Sequence, residues 1–531
     1  MENGRINHPR ALSVNILVVN IIMSILGAII GMELVSKLGV TPNTSIIGGL
    51  FAIILGKIPI KFLNGYKTLD GQNMVQTSIS GATFAAGNAI ILPMGILFLM
   101  ERQDLIIPIM IGVFLAVCVD TWMIYKLFNT PMFPATEAWA PGIATAETLK
   151  AVAKKGKDAA LLIYGIVGSV ALTHIGIPMD LLGVSWIANQ WAMGAFAVGL
   201  LCNQYLPKYG IELAAKYIPH GIMIGAAVVA LIQISKALLK KEEGSDGTSM
   251  LGRVSAGAGT GNTKTILLKG YGLYILVAGF IAAACGLYTE MSVGMLILWL
   301  LFAALAAIIS ELIVGIAAMH AGWFPMFATT VIFLLMGLLI GFPVIPLACL
   351  TAFTAATGPA FSDMAYDLKT GWLLRGNGEN NELEIFGRRQ QFICELTGIV
   401  VAVIMVALSY KMYFSQGFIV PTNKAYVATI LAGLDINVAK ALLMWGVVGA
   451  VIQFIGGPSK QLGVMFATGL LISNKFGGFT ILVALIIRAM VNKKYGEKGQ
   501  HALYIIGAGS IAGSSLYGFF KNTLRTFLLS K

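Results

Sequence analysis

"VGMLILWLLFAALAAIIS", Val293 to Ser310, runs for eighteen residues without a charge. A helix of about twenty apolar residues spans the roughly 30 Å hydrocarbon core of a bilayer. The run is one of several. Leu12–Met32, Ala89–Met100, Ile106–Val119, Gly221–Ser235, Leu273–Thr289 and Phe324–Thr357 extend the same pattern along the chain. Of 531 residues, 57% are hydrophobic and 11% charged, where a soluble domain carries about 25% charged residues. This composition excludes an ordinary soluble domain. It predicts an all-α polytopic membrane protein, with the lipid bilayer as its solvent. Val14–Met32 is longer than a signal-peptide apolar region and has no small-residue cleavage site near its end, so it reads as the first span.

The net charge of +12 sits in short loops between apolar runs, where cytoplasmic lysines and arginines concentrate. It therefore points to membrane orientation and not to nucleic acid. The five cysteines lack C-x-x-C spacing and the five histidines are scattered. The sequence thus predicts no metal site and no cofactor.

Counting outward from charged loops places spans near 12–38, 43–58, 72–100, 104–127, 158–178, 188–207 and 217–239. "KKEEGSDGTSMLGRVSAGAGTGNTK", Lys240 to Lys264, is polar and glycine-rich and reads as a flexible cytoplasmic linker. It divides the chain into an N-terminal half, 1–239, and a C-terminal half, 265–531. Arg5 and Arg10 place the N-terminus inside, and seven spans would then leave the basic linker outside. The conflict disappears if "FPATEAWAPGIATAETLKAV", Phe133 to Val152, enters the membrane as an eighth, broken segment lying against protein. The halves look like a weak repeat, in which "AETLK" (Ala146–Lys150) answers "AYDLK" (Ala365–Lys369). Parallel repeats of this kind place a transporter's site between them.

Three polar constellations interrupt the apolar runs. In "AYDLKTGWLL", Ala365 to Leu374, Asp367 and Lys369 are two residues apart, so they leave a helix on different faces. Thr370 and Gly371 add a hydroxyl and a cheap backbone break. A lysine snorkelling from a helix end is the simpler alternative. In "GRRQQFICELTG", Gly387 to Gly398, Arg388, Gln391 and Glu395 form one stripe running into the membrane. Burial disfavours a carboxylate's charge and an arginine favours it, so a glutamate held between the two can exchange a proton. A structural Arg–Glu pair is the alternative. In "LDGQNMVQTSISGATFAAGNAI", Leu69 to Ile90, Asn73, Gln76, Thr77 and Ser80 share a face continued by Gly87 and Asn88. That stripe reads as the lining of a polar path, with interhelical hydrogen bonding as the alternative. Glu147 and Lys150, three apart, can pair on the broken segment, and Glu137 is a weaker candidate nearer the loop.

"GAGTGNTKT", Gly257 to Thr265, imitates a phosphate-binding loop, but Thr263 stands where that loop needs glycine and no strand precedes it. An ATP-driven pump is unsupported. No His, Ser or Cys spacing supplies a nucleophile and base, so an intramembrane enzyme is not expected. A channel would dispense with coupling.

"DGQNMVQTSISGATFAAG", "FPATEAWAPGIATAETLKA", "DMAYDLKTGWLL…GRRQQFICELTG", "GPSKQLGVMFATGLLISNKFGGFTILVALIIRAMVNKKYG" (Gly457–Gly496) and "GAGSIAGSSLYG" (Gly507–Gly518) together resemble the oligopeptide transporter family. That family includes the yellow-stripe-like carriers and bacterial members. The Asn-Pro-Gly motif and "KIPPR" run of its fungal and plant peptide branch are missing, which places the chain nearer the bacterial and yellow-stripe-like side. The resemblance implies about sixteen transmembrane helices in two repeated halves, with broken helices at the centre. It implies a multi-pass protein of the cell (cytoplasmic) membrane that carries out proton-coupled uptake of small oligopeptides or, alternatively, of metal chelates, whether siderophore-like or amino-acid-derived. Read through it, Asn73, Gln76, Thr77, Lys150, Asp367, Lys369, Thr370 and Gln391 are the substrate-binding candidates. Glu395 and Glu147 are the proton-coupling candidates. The expected partners are a small-molecule substrate and protons, with a homodimer as one arrangement.

Overall fold

A computed structural model of the chain describes residues 8–39, 44–137, 139–152, 157–243, 261–321, 326–433 and 436–529. These residues form helices joined by short turns, with no strand among them beyond one isolated bridge between Phe128 and Phe133. The N-terminal helices are α1 (Val14–Leu38), α2 (Thr44–Lys57), α3 (Leu69–Phe84), α4 (Leu92–Leu99), α5 (Ile106–Leu127) and α6 (Ala140–Val152). They continue with α7 (Lys157–His174), α8 (Met179–Ile187), α9 (Gln190–Tyr205) and α10 (Ile218–Glu243). The C-terminal helices begin with α11 (Gly261–Ala284), α12 (Val293–Ala321), α13 (Met326–Ile340), α14 (Val344–Ala356), α15 (Pro359–Leu374) and α16 (Asn381–Ser415). The chain ends with α17 (Pro421–Ala432), α18 (Ile436–Lys460), α19 (Leu462–Leu471) and α20 (Gly477–Leu529).

Nine of the described helical segments are long and apolar enough to cross a membrane. The protein is an all-α polytopic membrane protein, as its composition predicts. Without water in the bilayer core, backbone groups must be satisfied within the segment, and the helix does this. Outward faces are apolar: Leu443, Val447 and Phe454 of α18 are 74%, 61% and 74% exposed, as lipid-facing residues should be.

Two segments behave differently. Leu69–Leu99 and Val344–Leu374 each bury 89% of their apolar window, whereas Ile436–Gly457 buries 22%. Both deeply buried segments are broken. The first passes from α3 to α4 through a π-helical stretch, Ala85–Ile91, a feature that recurs at functional sites. The second breaks between α14 and α15 at Gly358, whose φ of +103° only glycine adopts cheaply. Pro359 then opens α15, where its missing N–H costs nothing.

Packing interleaves the two sides of the 240–264 segment. The helices α7, α8 and α9 pack on α19 and α20, and α10 packs on α18. Gly221 and Gly225 let α10 approach the backbone of α18 at Leu442 and Gly446, the small-residue contact favoured between membrane helices. Meanwhile α1 and α2 each pack on α3, and α1 and α3 also pack on α16. Most of the expected linker, residues 244–260, lies outside the described residues. Of the phosphate-loop imitation, Gly261–Thr265 forms the first turn of α11. The helices that carry "AETLK" and "AYDLK" are neighbours, since α6 packs on α15 with Gly142 against Tyr366 and Lys369. Their surroundings differ: α15 is buried from Pro359 through Gly371, and α6 exposes Ile143, Ala144 and Glu147.

Candidate functional site

Asp363 and Asp367 are four residues apart on α15, one turn along the same face. Glu395 reaches them from α16. One carboxylate oxygen from each lies within 4.8 Å of the others, and all three residues are fully buried. Small residues make this approach possible. Gly398 of α16 lies against the Ser78 carbonyl and the Ala82 amide of α3, and a Cβ at Gly81 would collide with the Glu395 carboxylate.

The first half of the chain supplies neutral donors to this cluster. Ser80 donates to Asp363 Oδ1 at 2.7 Å. Gln76 Nε2 and Ser45 Oγ donate to Asp367 Oδ1 at 2.6 and 3.0 Å. Asn73 Nδ2 in turn donates to Gln76 Oε1 at 2.9 Å, which fixes that amide's orientation. Gln391 donates to the Asp367 carbonyl at 2.6 Å and to Thr77 Oγ1 at 3.3 Å. The polar stripe of α3 therefore engages α15 and α16 directly. Asp363 Oδ2 and both Glu395 oxygens accept no hydrogen bond among the described residues.

No basic side chain among the described residues acts on the cluster. A buried charge needs a partner, and three charged carboxylates so placed would repel one another without an answering cation. Protons between the oxygens, or a hard cation bound by them, would each meet that need. Three oxygen donors around a common point suit such a cation.

The remaining candidates lie elsewhere. Lys369 leaves α15 on a different face from Asp367, as a two-residue spacing requires. Its ammonium donates to the Ala135 and Glu137 carbonyls at 2.6 and 3.1 Å and sits 4.6 Å over the Trp372 ring. The Thr370 hydroxyl lies 3.0 Å from the Gly142 carbonyl and 2.9 Å from the Tyr366 carbonyl, and its one hydrogen is shared between α6 and its own helix. Glu147 and Lys150 form a 3.6 Å pair with side chains 67% and 41% exposed, away from the buried carboxylates. Arg388 does not pair with Glu395. It turns to Glu384 at 3.3 Å and to the Phe128 carbonyl at 2.9 Å.

Sequence reading missed Asp363, although its signal was present: an acid four residues before Asp367 faces the same way on a helix. It also missed a second buried polar group, where Lys37 pairs with Glu33 and Tyr413 donates to Glu33 Oε1 at 2.7 Å. An acid inside an otherwise apolar span, such as Glu33, is a functional-site signal in itself.

Helices long enough to span the membrane, two broken and deeply buried segments, and a buried carboxylate cluster carried by α15 and α16 make this a multi-pass membrane protein with polar groups held at its centre. The sequence model of the OPT oligopeptide transporter protein family matches residues 11–239 and 179–522, and the chain belongs to that family. A search of curated proteins returns no match. The chain is thus a transporter of the oligopeptide-transporter type, embedded in a membrane and acting on a small-molecule substrate.

Proposed function

We propose that the protein is a secondary active carrier that couples proton entry to the uptake of small oligopeptides across the cytoplasmic membrane. The observation that carries this reading is the Asp363–Asp367–Glu395 cluster, buried, close-set and without a base. Such a group is stable only with protons or a cation, so its occupancy can be linked to the arrangement of the helices that bear it. Glu395 is the proton-coupling residue, because neither of its oxygens is engaged and it bridges α16 to α15. Glu147 is the weaker candidate, since it is exposed and paired with Lys150. Asn73, Gln76, Thr77 and Gln391 hold the cluster in register. Lys369 and Thr370 fix α15 to the segment from Ala135 to Gly142.

A second reading, transport of metal chelates, draws on the same three oxygen donors, which suit a hard cation delivered with its ligand. Uptake into proteoliposomes under an imposed pH gradient separates the two, using a mixed di- to hexapeptide pool and a metal-chelate panel. Gradient-dependent accumulation of peptides is the expected result. Accumulation of chelates alone would replace the peptide reading with the second. Accumulation of neither would overturn both.

A further inference from the structure

A second set of buried acids lies outside the cluster just described. Asp120 of α5, Tyr274 of α11 and Glu311 of α12 are all fully buried. The Tyr274 hydroxyl is 2.5 Å from Asp120 Oδ1 and 2.7 Å from Glu311 Oε2. A phenol has a single hydrogen to donate, and an ionised carboxylate has none. Two hydrogen bonds at these distances therefore require that one of the two acids carries a proton of its own.

The surroundings decide which. Asp120 Oδ2 accepts the Gly358 N–H at 2.7 Å, at the start of α15, where the helix dipole favours an anion. Asp120 thus has two donors for its charge. Among the described residues Glu311 has only Tyr274, and its Oε1 accepts nothing. Cys118, two residues from Asp120 on α5, is the other titratable neighbour. No side chain of α4, α6, α10, α13, α14, α15 or α16 adds a charge that acts on the pair among the described residues.

We infer that Asp120, Tyr274 and Glu311 form a second proton-binding site, with the proton resting on Glu311 Oε2 and shared with Asp120 through the Tyr274 hydroxyl. Transfer balances without any further reactant. Tyr274 takes the Glu311 proton on its oxygen as it releases its own to Asp120 Oδ1, leaving Glu311 charged and Asp120 neutral. The negative charge then leaves the Gly358 amide, which sits at the break before the helix carrying Asp363 and Asp367. The state of this site thereby biases the same helix that presents the central carboxylates. The inference does not depend on which cargo is carried.

The test is infrared spectroscopy of the purified full-length protein, titrated across pH and exchanged into heavy water. One protonated-carboxyl band, sensitive to pH and to deuterium, should be lost in Glu311→Gln and kept in Glu395→Gln. Tyr274→Phe keeps both acids and breaks the bridge, so it should shift that band without removing it, and it serves where Glu311→Gln does not fold. An unchanged band set in Glu311→Gln, or no shift in Tyr274→Phe, would overturn the inference. A band that never responds to pH would make the group a fixed structural acid and overturn it as well.

Discussion

Glu384 and Glu395 stand about three turns apart on α16, both buried, and the protein treats them in opposite ways. Glu384 accepts from Arg375 Nε at 2.8 Å and pairs with Arg388 at 3.3 Å, so both its oxygens are answered by cations. Glu395 faces two further acids and no hydrogen-bond donor. The first arrangement is a tie: Arg375 also donates to Gln391 at 2.9 Å, and so links the ion pair to the amide that holds Asp367. The second has its charge requirement left open. One glutamate fixes a geometry, and the other is free to change state inside it.

The comparison breaks most severely at the tie. Replacing Glu384 with Gln leaves the buried Arg375 without its counter-charge, which typically costs about 3–5 kcal/mol. The variant should show a large drop in melting temperature in detergent, and a melt equal to wild type would show that the network is not structural. Gly81→Ala comes next. Its methyl group collides with the Glu395 carboxylate, and such overpacking costs about 1–3 kcal/mol. Transport should fall further than stability does, since the displaced group is the functional one; equal losses would count against that role. Asp367→Asn keeps an oxygen for Gln76 and Ser45 while removing one acid from the cluster. Its melting temperature should match or exceed that of wild type while gradient-driven uptake drops, and a marked destabilisation would mean the cluster is itself a structural tie.

The smallest effect belongs to the tied end. His8 stacks edge-on against Phe386 and lies near Asp70, and burial pushes its pKa below the usual value. The unfolded chain then binds this proton more readily than the folded one, so stability is present above the ordinary histidine range and declines as pH falls through it and below. His8→Gln should flatten that acid slope slightly in melts taken at successive pH values. An unchanged slope would remove His8 from the account.

Much of the fold was legible because charge is so scarce. The expected spans at 12–38, 104–127 and 217–239 coincide with α1, α5 and α10, since only apolar helices satisfy their backbone in lipid. The site was legible in part. Asn73, Gln76 and Thr77 could be grouped because they repeat on one helical face, and that face meets α15 and α16. Their partners were not readable, because a helix-surface pattern does not say which other helix covers it. For this reason Arg388 looked like a partner for Glu395, where the structure gives it to Glu384. Glu147 and Lys150 illustrate the same gap, since sequence does not say which side of α6 packs on protein. Asp120, Tyr274 and Glu311 come from three separate helices, and nothing in their spacing joins them.

The most direct test of the central claim compares wild type with Glu395→Gln in proteoliposomes, measuring pH-gradient-driven accumulation and substrate exchange on the same preparation. The account predicts that the variant loses accumulation and keeps exchange, because a neutral amide holds the geometry and cannot cycle a proton. Accumulation equal to wild type would contradict it and would remove Glu395 from the coupling step.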